Sequence, residues 1–414
     1  MFFLYQVLVS LLLLISPIII FLRIFNKKED IRRFKEKFSV PTKKRIVGNL
    51  LWFHGSSVGE IMSIIPLLKS YEKKNSINQI LVTSSTLSSS KILKRYNFKK
   101  TIHQFYPIDH FIFTNRFLKY WKPNLAIFIE SEIWPCMFKN LKNQDIPLIL
   151  LNARLTQKTF KRWMSIKNFT QSVFENISIA YPQNLETKYC LNKINIKKNK
   201  LIGNLKFTET PENNLDIINK KLKSKLKNKK IWIASSTHKS EEIFCAKTHI
   251  ELKKRYKNLL TIIIPRHVDR AKKIEEELGK YNLKIHTHEP EKKINNKTDI
   301  YIVNTYGKTK SFYNICKNVF LGGSIINHGG QNPLEAARYG CNILHGPNIS
   351  NFREIYHFLK KNNISIKVNN KNQIVNNLSK LFSKKINSPK IKQKLNLKGQ
   401  KILMLTYKEL QKFI

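Results

Sequence analysis

NLLWFHGSSVGEIMSIIPLLKSYEKK, residues 49–74, opens the fold. Its first part, NLLWFHG (49–55), is a short apolar run with β-favouring bulk and reads as a buried strand. HGSSVGE (54–60) follows with small residues suited to a tight turn. EIMSIIPLLKSYEKK (60–74) then spaces its apolar residues three and four apart, as a helix requires. A strand that feeds a helix, repeated along a chain, builds a parallel sheet covered on both faces. The alternation continues with QILVTSS (79–85), a helix from Ser89 to about Tyr96, NLAIFIE (124–130) and IPLILLN (146–152). A polar Lys/Asn-rich segment, roughly 208–230, interrupts it. It restarts in KIWIASS (230–236), NLLTIIIPRH (258–267), TDIYIVN (298–304), NVFLGGSI (318–325) and CNILHGP (341–347). The prediction is an α/β protein of two Rossmann-like, doubly wound domains joined near residue 210. Their ranges are 23–210 and 211–414, the last helix being able to pack back on the first domain. Ligands of such sheets bind at the carboxyl ends of the strands, here expected in a cleft between the domains.

The 414 residues carry 75 Lys+Arg against 27 Asp+Glu, a formal charge of +48. Apolar residues at 42% and aromatics at 11% exclude wholesale disorder. Nucleic acid is one partner for such charge. A lysine-rich compositional bias, acting together with an anionic membrane surface, is the other explanation and the one preferred. No RNP1-like run or zinc knuckle supports a nucleic-acid reader. Five scattered cysteines (Cys136, Cys190, Cys245, Cys316, Cys341) form no C-x-x-C pair, which fits a reducing compartment. The histidines are dispersed, with His286 and His288 as a close pair and no H-E-x-x-H, so no metal site is expected.

Residues 1–22, MFFLYQVLVSLLLLISPIIIFL, are uncharged and long enough as a helix to cross a hydrocarbon core. A cleavable signal would need a basic start and a small-residue cleavage site, and neither is present. Between Arg23 and Arg45 stand ten Lys/Arg and three acids, which places the rest of the chain on the cytoplasmic side of a single-pass anchor. Phe25, Ile31, Phe34 and Phe38 are spaced for a helix with one edge on the bilayer.

With acids scarce, a glutamate beside an apolar strand is informative. Glu60 opens the helix after the first strand. It suits a general base at a cleft-facing strand end, or merely complements the helix dipole. Six acids occupy positions 37–150, and two of them, Glu130 and Glu132, end the strand NLAIFI in ESEIWP. Strand alternation would point both to one side if the strand continued. A buried carboxylate that only holds amides or an Arg is the alternative. Lys206, in GNLKF (203–207), faces either the cleft or solvent. In LGGSIINHGGQNPLEAARYG (321–340), paired glycines precede Asn332-Pro333, which opens a helix bearing Glu335. Close backbone approach and free helix amides suit a phosphate; a ligand-free glycine turn is the alternative. Arg266, after the strand NLLTIII, is placed to bind a phosphate or to face solvent.

Several of these segments together resemble the 3-deoxy-D-manno-octulosonic acid (Kdo) transferases of lipopolysaccharide synthesis. The matching stretches are WFHGSSVGE, ESEIWP, LNARLTQKTFKRW, GNLKF, SSTHKSEE, IPRHVDR and GGSIINHGGQNPLEAARYG with GPNISNFREI, collinear from about residue 50 to 355. The resemblance implies a GT-B glycosyltransferase of the inner membrane with no cofactor. It implies CMP-Kdo as donor, the lipid A precursor lipid IVA as acceptor, and an inverting, metal-independent transfer. By motif, Glu60 is the base, and Glu130 and Lys206 support the transition state, with Glu132 a weaker candidate. CMP contacts are implied at Pro265-Arg266, Tyr306-Gly307-Lys308 and Asn332-Pro333-Leu334-Glu335. Neither nucleic acid nor an obligate protein partner is implied. Two departures stand out. VNTYGKTK (303–310) places Asn304 and Lys308 where the family has acids, and TLSSS (86–90) places Ser89 where glycine is usual. A related transferase using another nucleotide sugar shares the fold and stays open.

Overall fold

In the computed structural model of the chain, residues 1–210, 222, 224, 226, 229–288, 297–384 and 386–414 are described. The polar segment read at 208–230 falls largely outside them. The chain divides into two compact units, Met1–Glu209 with Lys398–Ile414, and Thr210–Leu397.

The first unit begins with α1 (Phe2–Phe25). Its strands are β1 (Leu50–His54), β2 (Gln79–Ser84), β3 (Thr101–Phe105), β4 (Leu125–Ile129), β5 (Leu148–Ala153) and β6 (Ile179–Pro182). Between them run α2 (Val58–Tyr71), α3 (Leu87–Leu93), α4 (Phe111–Trp121), α5 (Pro135–Asn143), α6 (Gln157–Met164) and α7 (Lys167–Phe174), and α8 (Leu185–Lys193) follows β6. The spatial order is β3-β2-β1-β4-β5-β6, every pair parallel. All five residues of β1 are buried, because helices cover both faces of a parallel sheet. Trp52 anchors that core, its ring 4.9 Å from Phe117 and 5.1 Å from Phe128. Strand order reverses between β1 and β4, and such a switch point opens a crevice at the carboxyl ends.

The stretch after α1 departs from expectation. No bilayer-facing α-helix runs through Phe25, Ile31, Phe34 and Phe38. Residues Phe34–Phe38 form a 3-10 turn instead. Phe38 turns inward onto Phe113 at 5.6 Å. Buried Glu36 explains the turn: it accepts from Arg33 Nε at 2.7 Å and from Phe105 N at 2.6 Å, tying the segment to edge strand β3.

The second unit contains β7 (Lys230–Thr237), β8 (Leu259–Pro265), β9 (Ile285–Thr287), β10 (Ile300–Ile302), β11 (Asn318–Leu321), β12 (Asn342–His345) and β13 (Ser365–Lys367). Its described helices are α9 (Glu241–Lys253), α10 (Ala271–Gly279), α11 (Thr309–Ile315), α12 (Leu334–Arg338), α13 (Arg353–Lys361) and α14 (Lys371–Ser383). The order β13-β12-β11-β7-β8-β10-β9 is again parallel, with its switch between β11 and β7. α15 (Ser388–Leu410) begins in the second unit and ends in the first.

Candidate active site

In the first unit the carboxyl ends of β1 and β4 gather the acids singled out in the sequence. Beyond β1, Ser57 caps α2 and Glu60 closes a capping box with it. Glu60 Oε2 accepts from Ser56 N at 2.7 Å, and Oε1 accepts from Ser57 Oγ at 2.7 Å. The helix-capping role is therefore real. It does not use up the carboxylate: Oε2 also accepts from Ser57 N at 3.4 Å, but Oε1 keeps a second lone pair. Burial, and then the charges of Glu132 and Glu130, push the Glu60 carboxyl above its usual range against these hydrogen bonds.

Glu132 lies on the same loop cluster. Its Oε2 accepts from Ser56 Oγ at 2.5 Å, Trp134 Nε1 at 2.9 Å and His54 Nε2 at 3.1 Å. Burial raises the Glu132 carboxyl, but these donors outweigh burial and hold it below the ordinary value. His54 is fixed in turn: its Nδ1 meets Thr83 Oγ1 at 2.9 Å, and Tyr106 stacks on the ring at 3.9 Å. Because a carboxylate only accepts, Nε2 carries a proton toward Glu132, while Nδ1 faces the Thr83 hydroxyl and, at 3.3 Å, the Thr83 carbonyl. Trp52 Nε1 donates to that same hydroxyl at 2.9 Å, which completes a polarised chain from the core to Glu132.

The strand alternation that would aim Glu130 and Glu132 to one side does not reach them. The strand stops at Ile129, and Glu130 turns to φ +58°, a left-handed conformation unusual for glutamate. It is 5% exposed and pairs with Lys206 Nζ at 2.6 Å. Asn152, at φ +53° on the bulge of β5, donates to Glu130 Oε1 at 3.4 Å and accepts from Leu205 N at 2.9 Å. Lys206 thus faces a buried partner, and its position is set by backbone as well as charge.

In the second unit Arg266, the turn 306–308 and the segment 332–335 follow β8, β10 and β11, so all lie at the carboxyl edge of one sheet. Arg266 and Tyr306 are exposed, and Gly307 (φ +85°) has open space around it. α12 corrects one expectation. It has five residues, and Pro333 stands just before it instead of at its first position. So short a helix supplies little dipole to a phosphate. Asn332 Oδ1 accepts from Leu334 N, the first residue of that helix, at 3.1 Å.

The tightest constellation of this unit went unread in the sequence. Fully buried Glu241 accepts from the backbone N–H of Gly323, Ser324, Ile325 and His238, at 2.6, 3.1, 3.0 and 3.1 Å. Gly322 has no room for a side chain, since an added Cβ would lie 2.5 Å from Ser236 O. His238 reaches Gln331 Nε2 at 3.1 Å and lies 4.2 Å from the His328 ring. Burial and the neighbouring His328, His267 and Arg266 lower the His238 pKa to about 4. His54, Asn152 and Glu241 were the omissions. The SSTHKSEE stretch, with adjacent acids in a base-rich chain, held the signal for the last. Among the described residues no His/Cys/Asp/Glu group with metal-holding geometry occurs.

A family profile described as 3-Deoxy-D-manno-octulosonic-acid transferase (kdotransferase) matches residues 32–209. The chain is 36% identical over 381 residues to the 3-deoxy-D-manno-octulosonic acid transferase of Rickettsia bellii, spanning 92% of this chain and 90% of that protein. With the Rickettsia felis protein of the same name the identity is 33% over 432 residues, 92% of each chain. Among solved structures, the UDP-GlcNAc 2-epimerase from Neisseria meningitidis bound to UDP-GlcNAc aligns with a TM-score of 0.59 at 12% identity, covering 88% of this chain and 100% of that one. At that identity the likeness is one of fold, and it agrees with the two doubly wound sheets of the GT-B class.

Proposed function

The chain belongs to the 3-deoxy-D-manno-octulosonic-acid (Kdo) transferase family, and from that premise we propose that it moves Kdo from CMP-Kdo to the lipid A precursor lipid IVA. The observation that carries the chemistry is the Glu60 carboxyl, raised by burial and by the facing charges of Glu132 and Glu130 at the β1 end. A carboxylate with a raised pKa accepts a sugar hydroxyl proton more effectively than an ordinary one.

In this reading the acceptor hydroxyl attacks the anomeric carbon of Kdo on the face opposite CMP, so configuration inverts. The new C–O bond forms as the bond to the cytidylate phosphate breaks. The electron pair leaves on that phosphate and the hydroxyl proton passes to Glu60. Lys206, oriented by Glu130, offers its charge to the carboxylate that Kdo carries beside its anomeric carbon. Arg266 meets the leaving phosphate, so charge is stabilised by protein groups without a metal. The 306–308 and 332–335 segments hold the rest of CMP. α1 keeps the enzyme at the cytoplasmic face of the anionic inner membrane, where the phosphorylated acceptor resides.

Incubating the purified full-length chain with CMP-Kdo and a tetraacylated lipid A precursor, then weighing the products, tests this. The expected result is a mass increase in whole Kdo steps that persists with EDTA present. No increase overturns the acceptor and donor assignment; loss with EDTA overturns metal independence.

A further inference from the structure

α1 is 24 residues long, about 36 Å as a helix, which is enough to cross a bilayer. A crossing helix leaves its folded partner on one side of the membrane, so the partner can touch only one of its ends. Here the first unit meets α1 at its start and middle, and the segment that follows the other end is tied to the same unit. At the start, the Tyr5 hydroxyl donates to Asp109 Oδ2 at 2.7 Å, and the Phe2 and Tyr5 rings lie 6.3 and 5.8 Å from Phe169. In the middle, Ser10 Oγ meets His110 Nε2 at 3.2 Å. A groove of about 510 Å³ lies beside it, with Gln6, Ser10 and Leu14 of α1 on one wall and Phe111 and Ile112 on the other. At the far end, Arg23 Nε donates to buried Glu29 at 3.0 Å. Glu29 also pairs with Lys37, whose carbonyl accepts from Ile108 N at 2.9 Å in the loop before α4.

The side-chain pattern agrees. Phe2, Tyr5, Val9, Leu13, Ser16 and Ile20, spaced three or four apart, are wholly or partly buried. The opposite face exposes apolar residues, Leu4 (51%), Leu11 (53%), Ile18 (62%) and Leu22 (52%) among them. Basic groups flank both ends on the same unit. Near the start, Lys139 sits 4.4 Å above the Phe2 ring, and Trp163 of α6 stacks on Phe169 while Lys158, Lys161 and Arg162 are exposed. After the end come exposed Lys27, Lys28 and Arg32. A helix spanning the bilayer would carry one of these basic sets, and the buried Asp109 contact with it, through the hydrocarbon or to the far side.

We infer that α1 lies in the plane of one leaflet of an anionic membrane, its exposed apolar face among the acyl chains and the basic groups of both ends among the headgroups. This rests on the membrane association proposed above and changes its geometry, from the single pass expected of the sequence to an in-plane mount.

The test is a depth measurement on the full-length chain in vesicles of phosphatidylethanolamine with a minority of phosphatidylglycerol. Nitroxides are attached singly through cysteines placed at Leu4, Leu11, Ile18 and Leu22, on the exposed face. The five native cysteines are buried and leave the introduced thiol as the reactive one. The expected result is one shallow depth shared by all four labels. A profile deepest at Leu11 and Ile18 and rising toward both ends overturns the inference in favour of a crossing. Labels left in water, or paired across two copies of the chain, overturn it as well. Reversing charge in K158E/K161E/R162E should weaken partitioning to these vesicles by about tenfold or more, and unchanged partitioning contradicts the headgroup contact. Sugar transfer assayed on the same vesicles separates the two readings, because a flat shallow profile without transfer counts against the proposed reaction alone.

Discussion

Two carboxylates flank the switch points of the two sheets and are used in opposite ways. Glu132 sits beyond β4 at the first switch point and takes its donors from side chains: a hydroxyl, an indole and an imidazole. Glu241 sits beyond β7 at the second and takes four backbone N–H groups. Side-chain donors can rotate away and be replaced by substrate groups. Backbone donors cannot, so Glu241 is committed to the shape of the 323–325 loop. In the proposed reaction the first unit supplies a deformable polar site for proton transfer, and the second a stiff, glycine-lined surface for the nucleotide.

The contrast breaks first at Glu60. Glu60→Gln keeps the capping geometry and removes the base, so kcat should fall by about 10²–10⁴-fold with an unchanged melting curve; wild-type turnover would remove Glu60 from the chemistry. Next comes Glu241→Ala. Its amide donors lose their acceptor at about 1–3 kcal/mol each, so at least about 3 kcal/mol of stability should disappear from the second unit. Denaturant unfolding followed by circular dichroism reads it, and a loss below about 1 kcal/mol would deny the loop-shaping role. Lys206→Met should cost about 3 kcal/mol by stranding a buried Glu130 charge. Adding Glu130→Gln should restore part of that stability; no recovery in the double variant would show that the pair is not coupled.

The smallest effect sharpens the comparison. A raised carboxyl must lose its proton to act as base, so kcat/KM should decline on the acid side from above the usual carboxylate range. In Glu132→Gln one of the opposing charges is gone, Glu60 ionises more readily, and the acid limb should move to lower pH. A limb that stays in place or moves upward would show that Glu132 does not bear on the base.

What could be read in advance follows burial. β1, β2, β4, β5, β7, β8, β10, β11 and β12 are interior strands, and each is an apolar run visible without any structure. The strands passed over, β3, β6, β9 and β13, are the edges of the two sheets. TIHQF of β3 is half-exposed and mixed in polarity because only one side has a neighbour, so it carries no clear period. At the site, scarcity of acids exposed Glu60, Glu130 and Glu132, which stand beside apolar runs. The Glu130–Lys206 pair joins positions on separate elements, and Asn152 takes part only because its backbone turns left-handed at a bulge. No spacing rule encodes either. Glu241 stayed hidden because its partners are amides, which every residue owns.

The assignment of Lys398–Ile414 to the first unit has a consequence for how the protein is made. Glu409 accepts from Lys200 Nζ at 2.8 Å and from the Tyr181 hydroxyl at 3.4 Å, and Tyr407 lies 5.2 Å from Tyr71. Residues 1–209 therefore wait for residues made only after the whole second unit. At about 5–20 residues per second, that wait is on the order of ten to forty seconds. During it the apolar surface that α15 will cover is open to chaperones and proteases. A premature stop shortly before Lys398 would spare nearly all of the second unit and strike at the first, the oldest part of the nascent chain.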